Sequence, residues 1–340
     1  MKKLKVGVIG VGEMGFAHAK HIAFHIPNAQ LTAVAAVFQK RLEEVLPQLD
    51  DPKGHLDYKQ LLADPDVDAV AIASATALHK EQALAALAAG KDVFIEKPIG
   101  MDVAECREIE AAAAASGRHF FVGFMRRYDP SYQEAKRRIE AGEIGMPILY
   151  RGYSWDPVWV AEYLAKRAEL NGCWFLDKRV HDYDLARTCL ACEAEKVFAC
   201  GGAYAYPVFD KTNDIDNGYA LIQFENKSAA FIYPGRTAVH GSHVEGEIIG
   251  TKGSIRIGDD PAINMLKHYT ADGITKKVFT HYLERWNQAY INELQAFTDL
   301  CLGLTDEEGP SAHDGLMATM MGLTVQKAYV SGQLERFEGK

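Results

Sequence analysis

From residue 4 to about 123, short apolar runs alternate with longer stretches of mixed polarity. The runs are Lys5–Ile9, Leu31–Val37, Ala69–Ala73, Asp92–Ile95 and His119–Val122, each separated from the next by enough chain for a crossover. Strands that read as unbroken apolar runs are covered on both faces, the condition of parallel strands flanked by helices. The pattern predicts a doubly wound parallel sheet. One intervening helix is predicted over Val103–Ser116, with Gly117 just past its end, where a positive φ is wanted.

Beyond about residue 145 the texture changes to strand-like runs at Ile148–Ser154, Val197–Tyr204, Tyr219–Phe224, Ala229–Tyr233, Val244–Gly250 and Ser254–Ile257. Asn-Lys, Pro-Gly and Thr-Lys-Gly turns punctuate them, which predicts an open, mainly antiparallel sheet. Helices are predicted near Tyr183–Cys192, Arg285–Cys301 and Ala312–Ser331. The division expected is a parallel-sheet domain over 1–123 and a second α/β domain over 124–340, whose final helix can pack back on the first. There is no internal repeat.

Composition fits two domains: 340 residues, 48% hydrophobic and 24% charged, suffice for two cores. Lys and Arg number 37 against 46 Asp and Glu, a net charge of −9, and no dense basic stretch occurs. Nucleic acid and anionic membrane are therefore not expected partners. Six scattered cysteines fit a reducing compartment, Glu13 interrupts the first apolar run before a signal-like segment is complete, and no run is long enough for a membrane helix. A cytoplasmic protein is the expectation.

Gly10-Val11-Gly12-Glu13-Met14-Gly15 stands between the first predicted strand and a helix-compatible stretch. By itself G-x-G-x-x-G is a weak signal, but the strand–turn–helix setting gives it meaning. Gly10 would permit the tight turn, Gly12 the approach of a pyrophosphate, and Gly15 close packing of helix on strand, with the helix N-terminus facing the anion. A carboxylate about 20 residues on normally receives the ribose hydroxyls. Here no Asp or Glu occurs between Glu13 and Glu43, and the position falls at Phe38-Gln39-Lys40-Arg41. A basic pair suits a 2′-phosphate, so the reading is NAD or NADP with a lean to NADP. The alternative is that Lys40 and Arg41 are solvated charges and Gln39 bonds the ribose of NAD.

The fifth predicted strand runs into Glu96-Lys97-Pro98, placing Lys97 at the sheet edge where open α/β folds bind ligands. Residues 177–187 read Asp-Lys-Arg-Val-His-Asp-Tyr-Asp-Leu-Ala-Arg. If they form one helix, Asp177 and His181 share a face, and a carboxylate-oriented histidine is a proton-transfer group. On the residues alone the plainer reading is preferred, with Asp177 as a helix N-cap and His181 as a packed or surface histidine.

Gly10–Gly15, Glu96-Lys97-Pro98, Gly123-Phe-Met-Arg-Arg-Tyr-Asp-Pro130, Ser154-Trp-Asp-Pro157 and Asp177…His181-Asp-Tyr-Asp-Leu-Ala-Arg187, in this order, resemble the Gfo/Idh/MocA oxidoreductases over essentially the whole chain. Within that family the resemblance is to the inositol dehydrogenases. It implies a Rossmann domain followed by an α/β domain whose open sheet backs the substrate site and joins subunits, in a homotetramer or homodimer. It also reverses the preference at 177–187: Lys97 would bond the reacting oxygen, His181 would be the general base oriented by Asp177, and Met125, Arg126 and Asp156 would line a polyol pocket. Around the cofactor it implies Gly10, Gly12, Glu13, Met14, Gly15, Phe38, Gln39, Lys40, Arg41, Ser74, Ala75, Thr76, His79, Glu96 and Lys97. Asp184 and Arg187 read as a structural pair one turn apart, and no metal is implied. Pro98 is expected to follow a cis peptide.

Three segments depart from the family pattern. Ser74-Ala75-Thr76-Ala77-Leu78-His79 has Ala75 in place of a proline; Asn171-Gly172-Cys173 replaces Ser-Gly-Gly; and Trp155 replaces an arginine. The last two lie beside the expected substrate, which leaves a dehydrogenase of another polyol or an aldose as the alternative activity. A dinucleotide sensor without chemistry would not need Lys97, Asp177 and His181 together. Tyr132 and Lys136 match a Tyr-x-x-x-Lys pattern but read as neighbours on an exposed helix, and Cys189 and Cys192 read as two core cysteines one helical turn apart.

Overall fold

The structure, a computed structural model, describes residues 2–166 and 174–339. Two compact units emerge: Met1–Tyr128 with Gln288–Thr319, and Asp129–Asn287 with Met320–Lys340. The first unit thus takes in a segment, 288–319, that the sequence reading assigned to the second domain.

In the first unit β1 (Leu4–Ile9), β2 (Ala29–Ala35), β3 (Lys53–His55), β4 (Ala69–Ile72), β5 (Asp92–Ile95) and β6 (Phe120–Val122) form one sheet in the order β3-β2-β1-β4-β5-β6, parallel throughout. The connecting helices are α1 (Glu13–Phe24), α2 (Gln39–Val45), α3 (Tyr58–Ala63), α4 (His79–Ala88) and α5 (Val103–Ser116). All four residues of β4 are buried, as a strand covered on both faces requires. Asp102 caps α5 by accepting the Glu105 N–H at 2.9 Å, and Gly117 ends it at φ +62. β3, a short Lys-Gly-His edge strand, carries no apolar run and was not predicted.

The second unit opens with α6 (Pro130–Glu140), capped by Asp129, and continues through β7 (Pro147–Pro157), α7 (Val158–Ala165), α8 (Trp174–Asp177), α9 (Val180–Leu190), β8 (Ala194–Gly202), β9 (Asn217–Phe224), β10 (Ala229–Ala238), β11 (His243–Gly250) and β12 (Ser254–Ile257). A small hairpin, β13 (His268–Thr270) and β14 (Gly273–Thr275), follows. The large sheet runs β12-β11-β7-β10-β9-β8-β15, where β15 is Glu335–Arg336. It is antiparallel except at β7–β10, which pair in parallel. Along β9 buried and exposed residues alternate strictly from Gly218 to Phe224, so one face is covered and the other leaves Tyr219 and Leu221 exposed.

Two long helices complete the chain, α10 (Tyr282–Cys301) and α11 (Ala312–Ser331). From Gln288 onward α10 belongs to the first unit, where Leu294, Phe297 and Leu300 join the core of β1, β2 and α1. Phe297 packs against Phe94 and Phe121 with ring centroids 5.8 Å apart, and each such buried ring contributes about 1.5–3 kcal/mol. No helix among the described residues is long and apolar enough to cross a membrane.

Two sequence expectations are corrected. Tyr132 is buried with Ala135 on the inward side of α6 and packs against Trp286 at 6.5 Å, whereas Lys136 is exposed. Cys189 and Cys192 are half-buried, and Cys192 lies past the last residue of α9, its thiol accepting the Asn226 N–H at 3.4 Å.

Candidate active site

The glycine-rich turn has the geometry its spacing predicts. Gly10 has φ +85 and sits so close to Ser74 that a Cβ would fall 2.6 Å from the Ser74 Cα. A Cβ on Gly15 would fall 1.8 Å from the Gly10 carbonyl oxygen, so α1 rests directly on the turn. A Cβ on Gly12 would meet nothing, and Gly12 caps α1 with no side-chain hydrogen bond. Gly12 thus offers no side chain to cap the first N–H groups of α1, on the side where Gly12 and Glu13 are exposed and Met14 half-buried. This open, electropositive turn at the β1–β4 switch of the sheet fits a dinucleotide phosphate.

The loops after β2, β4 and β5 end on the same edge. Phe38 is exposed at the start of α2; Gln39 bonds Glu43 at 3.0 Å, and Lys40 is exposed. Arg41 instead reaches back to the turn, its Nε donating to the Val11 carbonyl at 2.7 Å and Nη1 pairing with Glu44 at 3.2 Å. After β4, Ser74 Oγ donates to Gln82 at 2.6 Å, and Ala75 and Thr76 open a short 3₁₀ turn that leads into His79. His79 is buried with Nδ1 2.8 Å from the Pro98 carbonyl and Nε2 3.2 Å from that of Ser74, and burial lowers its pKa. It ties two of the loops together rather than facing the opening. The Lys97–Pro98 bond is cis. Lys97 is half-buried, while Glu96 is turned inward to His18 at 2.7 Å. Met125 and Arg126 are buried in the 3₁₀ turn Met125–Tyr128 that follows β6.

In the second unit His181 is buried in the first turn of α9. The expectation of one helix over 177–187 does not hold: α8 stops at Asp177 and α9 starts at Val180, so Asp177 and His181 are not i and i+4 of one helix. The break falls at Lys178-Arg179 because the Arg179 guanidinium is drawn to the Ser154 carbonyl at 3.1 Å and to Asp182 at 3.2 Å. The side chain of Asp177, and Asn171, Gly172 and Cys173, lie outside the described residues. Asp156 is half-buried near the end of β7, with one carboxyl oxygen sealed and without a hydrogen-bond partner among the described residues. Next to it Trp155 packs among Tyr153, Tyr233, His240 and His243.

Two buried ion pairs that the sequence reading did not single out brace these elements. Asp182 accepts from Ser154 Oγ at 3.0 Å and pairs with Arg179, which pins the start of α9 to β7. Arg236 pairs with Asp214 at 2.7 Å, Asp214 accepts the Trp174 N–H at 2.8 Å, and the guanidinium lies 3.8 Å from the Trp174 ring, so α8 is held from β10. Arg187 pairs with Glu193 through its Nε at 2.8 Å. Asp182 and Arg179 stand only three residues apart in the stretch 177–187, but Ser154, 28 residues from Asp182, and the Asp214–Arg236 pair, 22 residues apart, leave no local signal.

Comparison with known proteins gives the same outline. The model for the oxidoreductase family with an NAD-binding Rossmann fold matches residues 4–124, and that for the GFO/IDH/MocA C-terminal domain matches 132–256. The scyllo-inositol 2-dehydrogenase (NAD(+)) of Bacillus subtilis is 34% identical over 303 residues, 87% of this chain and 86% of that protein. The myo-inositol 2-dehydrogenase of Thermotoga maritima is 31% identical over 96% of each chain. Among solved structures, scyllo-inositol dehydrogenase from Lactobacillus casei with bound NAD(H) and scyllo-inositol superposes with a TM-score of 0.95, at 38% identity and over 99% of each chain. With both halves matched in order, the chain belongs to the GFO/IDH/MocA family of oxidoreductases.

Proposed function

We propose that the protein is a nicotinamide-dependent dehydrogenase that oxidises a secondary hydroxyl of a cyclitol, scyllo- or myo-inositol, to the corresponding ketone. The observation that carries this reading is the near-complete superposition on a relative solved with NAD(H) and scyllo-inositol. The cofactor supplies a hydride acceptor at the nicotinamide. Gly10, Gly12 and Gly15 with the N-terminus of α1 bind its pyrophosphate, Ser74 and Thr76 its nicotinamide half, and Gln39 its adenosine ribose.

Lys97 donates a hydrogen bond to the reacting oxygen and stabilises negative charge there. His181 accepts the hydroxyl proton as the C–H bond breaks, so that one hydride and one proton leave the carbinol and a ketone remains. Asp177 orients His181 from the end of α8, and Met125, Arg126 and Asp156 line the cyclitol pocket. NAD is the cofactor the relatives support. Lys40, exposed beside the ribose position, supports use of NADP as well. The exposed Tyr219 and Leu221 on the open face of the sheet support a homodimer or homotetramer.

Steady-state turnover on scyllo-inositol, myo-inositol, glucose and xylose with each cofactor tests the reading. Cyclitols turned over best with NAD are expected; glucose or xylose preferred would transfer the assignment to an aldose dehydrogenase.

A further inference from the structure

Behind the Glu96-Lys97-Pro98 turn the first unit holds three titratable side chains to which the reaction above gives no role. His18 of α1, Glu96 and Glu293 of α10 are all buried, with polar atoms within 4.8 Å of one another. Glu293 is 0% exposed, and neither carboxyl oxygen has a hydrogen-bond partner among the described residues. Burying a carboxyl group without a partner costs stability, so its presence calls for a reason.

We propose that His18 and Glu293 are positioning residues for Lys97, acting through the carboxylate of Glu96. The proposal rests on the assignment of Lys97 to the reacting oxygen. His18 Nε2 lies 2.7 Å from Glu96 Oε1, and Glu96 Oε2 accepts the main-chain N–H of Lys97 at 3.2 Å. One carboxylate therefore ties α1 to the backbone that carries the lysine. The His18 ring is itself fixed edge-on to Phe94 and Tyr290, at centroid distances of 5.3 and 5.8 Å.

The charges complete the device. Burial pushes Glu96 up, but the bond from His18 and the charges of His18 and Lys97 outweigh it and hold the carboxyl below its ordinary range. Glu293 faces Glu96 from α10, and burial together with the Glu96 charge pushes it well above the carboxylate range. The surroundings thus favour the ionised form of Glu96 and the protonated form of Glu293. A neutral Glu293 closes the polar cluster without setting a second anion against Glu96, which leaves Glu96 committed to His18 and Lys97.

The test compares His18→Phe, His18→Gln, Glu293→Leu and Glu293→Gln in the full-length enzyme. Gln at 18 sets an amide donor near the place of Nε2, and Gln at 293 reproduces the shape of a neutral acid. His18→Phe and Glu293→Leu are expected to lower kcat about tenfold or more, with Kd for NAD by fluorescence titration within about twofold. Each Gln variant is expected to restore most of the loss. An unchanged kcat, a loss confined to NAD affinity, Gln variants as impaired as the apolar ones, or a stoichiometric metal ion in the purified protein would each overturn the proposal. If the apolar variants do not fold, Glu96→Gln must lower kcat at unchanged NAD affinity, or the proposal fails. A wild-type enzyme inactive on cyclitols would instead refute the functional assignment, and the pH dependence of unfolding then reads the cluster without activity.

Discussion

The Arg41 guanidinium is hydrogen-bonded to the main chain of the glycine-rich turn, its Nε 2.7 Å from the Val11 carbonyl oxygen. A residue that the sequence suggests as a phosphate ligand is thereby also a brace of the turn that every dinucleotide must use. The two basic residues then separate by experiment. Lys40→Glu should weaken NADP about tenfold and NAD less than twofold, because it changes only the charge near a 2′-phosphate. Arg41→Ala should weaken both cofactors by a similar factor. Equal effects of Lys40→Glu on NAD and NADP, measured as Kd, would remove the case for NADP.

The glycines of the turn differ in what they oppose. Gly15→Ala drives a methyl group into the Gly10 carbonyl and should lower Tm by several degrees while abolishing NAD binding, whereas Gly12→Ala meets no protein atom. Gly12→Ala should therefore keep its Tm within a degree or two of wild type and lose NAD affinity about tenfold or more, because the methyl group occupies space meant for the pyrophosphate. Thermal unfolding with and without NAD checks both.

Asp182 and Arg179 are 0% and 2% exposed as side chains, so breaking the pair leaves a charge in the interior. Asp182→Ala should cost about 3–5 kcal/mol in unfolding free energy. The double variant Asp182→Ala with Arg179→Met should recover part of that loss, and a denaturant-unfolding cycle measures the coupling. Additive losses would mean that the two side chains do not act as a pair.

Glu293 gives stability a definite pH dependence. Its pKa is raised in the folded protein by burial and by Glu96. The folded state then keeps a proton that the unfolded chain releases above about pH 4.3, so the contribution is fully present below that pH and declines as pH rises towards the folded pKa. The slope is at most about 1.4 kcal/mol per pH unit, and Glu293→Gln lacks it. The Tm of Glu293→Gln minus that of wild type should therefore be more positive at pH 8 than at pH 5. A constant difference would show that Glu293 titrates as an ordinary carboxyl.

Much of this architecture is written in local patterns. β5, β12, α5 with Gly117, and α11 fall on the residues that periodicity and capping indicate, and the glycine turn adopts the conformations its spacing requires. What local patterns do not carry is pairing across the chain. The parallel β7–β10 pair, the return of 288–319 to the first unit, Arg236 with Asp214, and Glu293 beside Glu96 all join residues far apart in sequence. The break at Lys178-Arg179 belongs with them, since its cause is a carbonyl at Ser154. Short polar elements such as β3 are illegible for a different reason: they gain their place from a neighbouring strand and have no hydrophobic pattern of their own.

In the function proposed for it, this chain oxidises a cyclitol with His181 taking the proton. The most direct measurement is the steady-state rate of NADH formation from scyllo- and myo-inositol by wild type and His181→Ala, alongside NAD affinity. Wild-type turnover with a loss of about 10²–10⁴-fold in kcat for His181→Ala, at NAD affinity within twofold, is the predicted result. No turnover of either cyclitol by wild type, or an undiminished kcat in the variant, would contradict it.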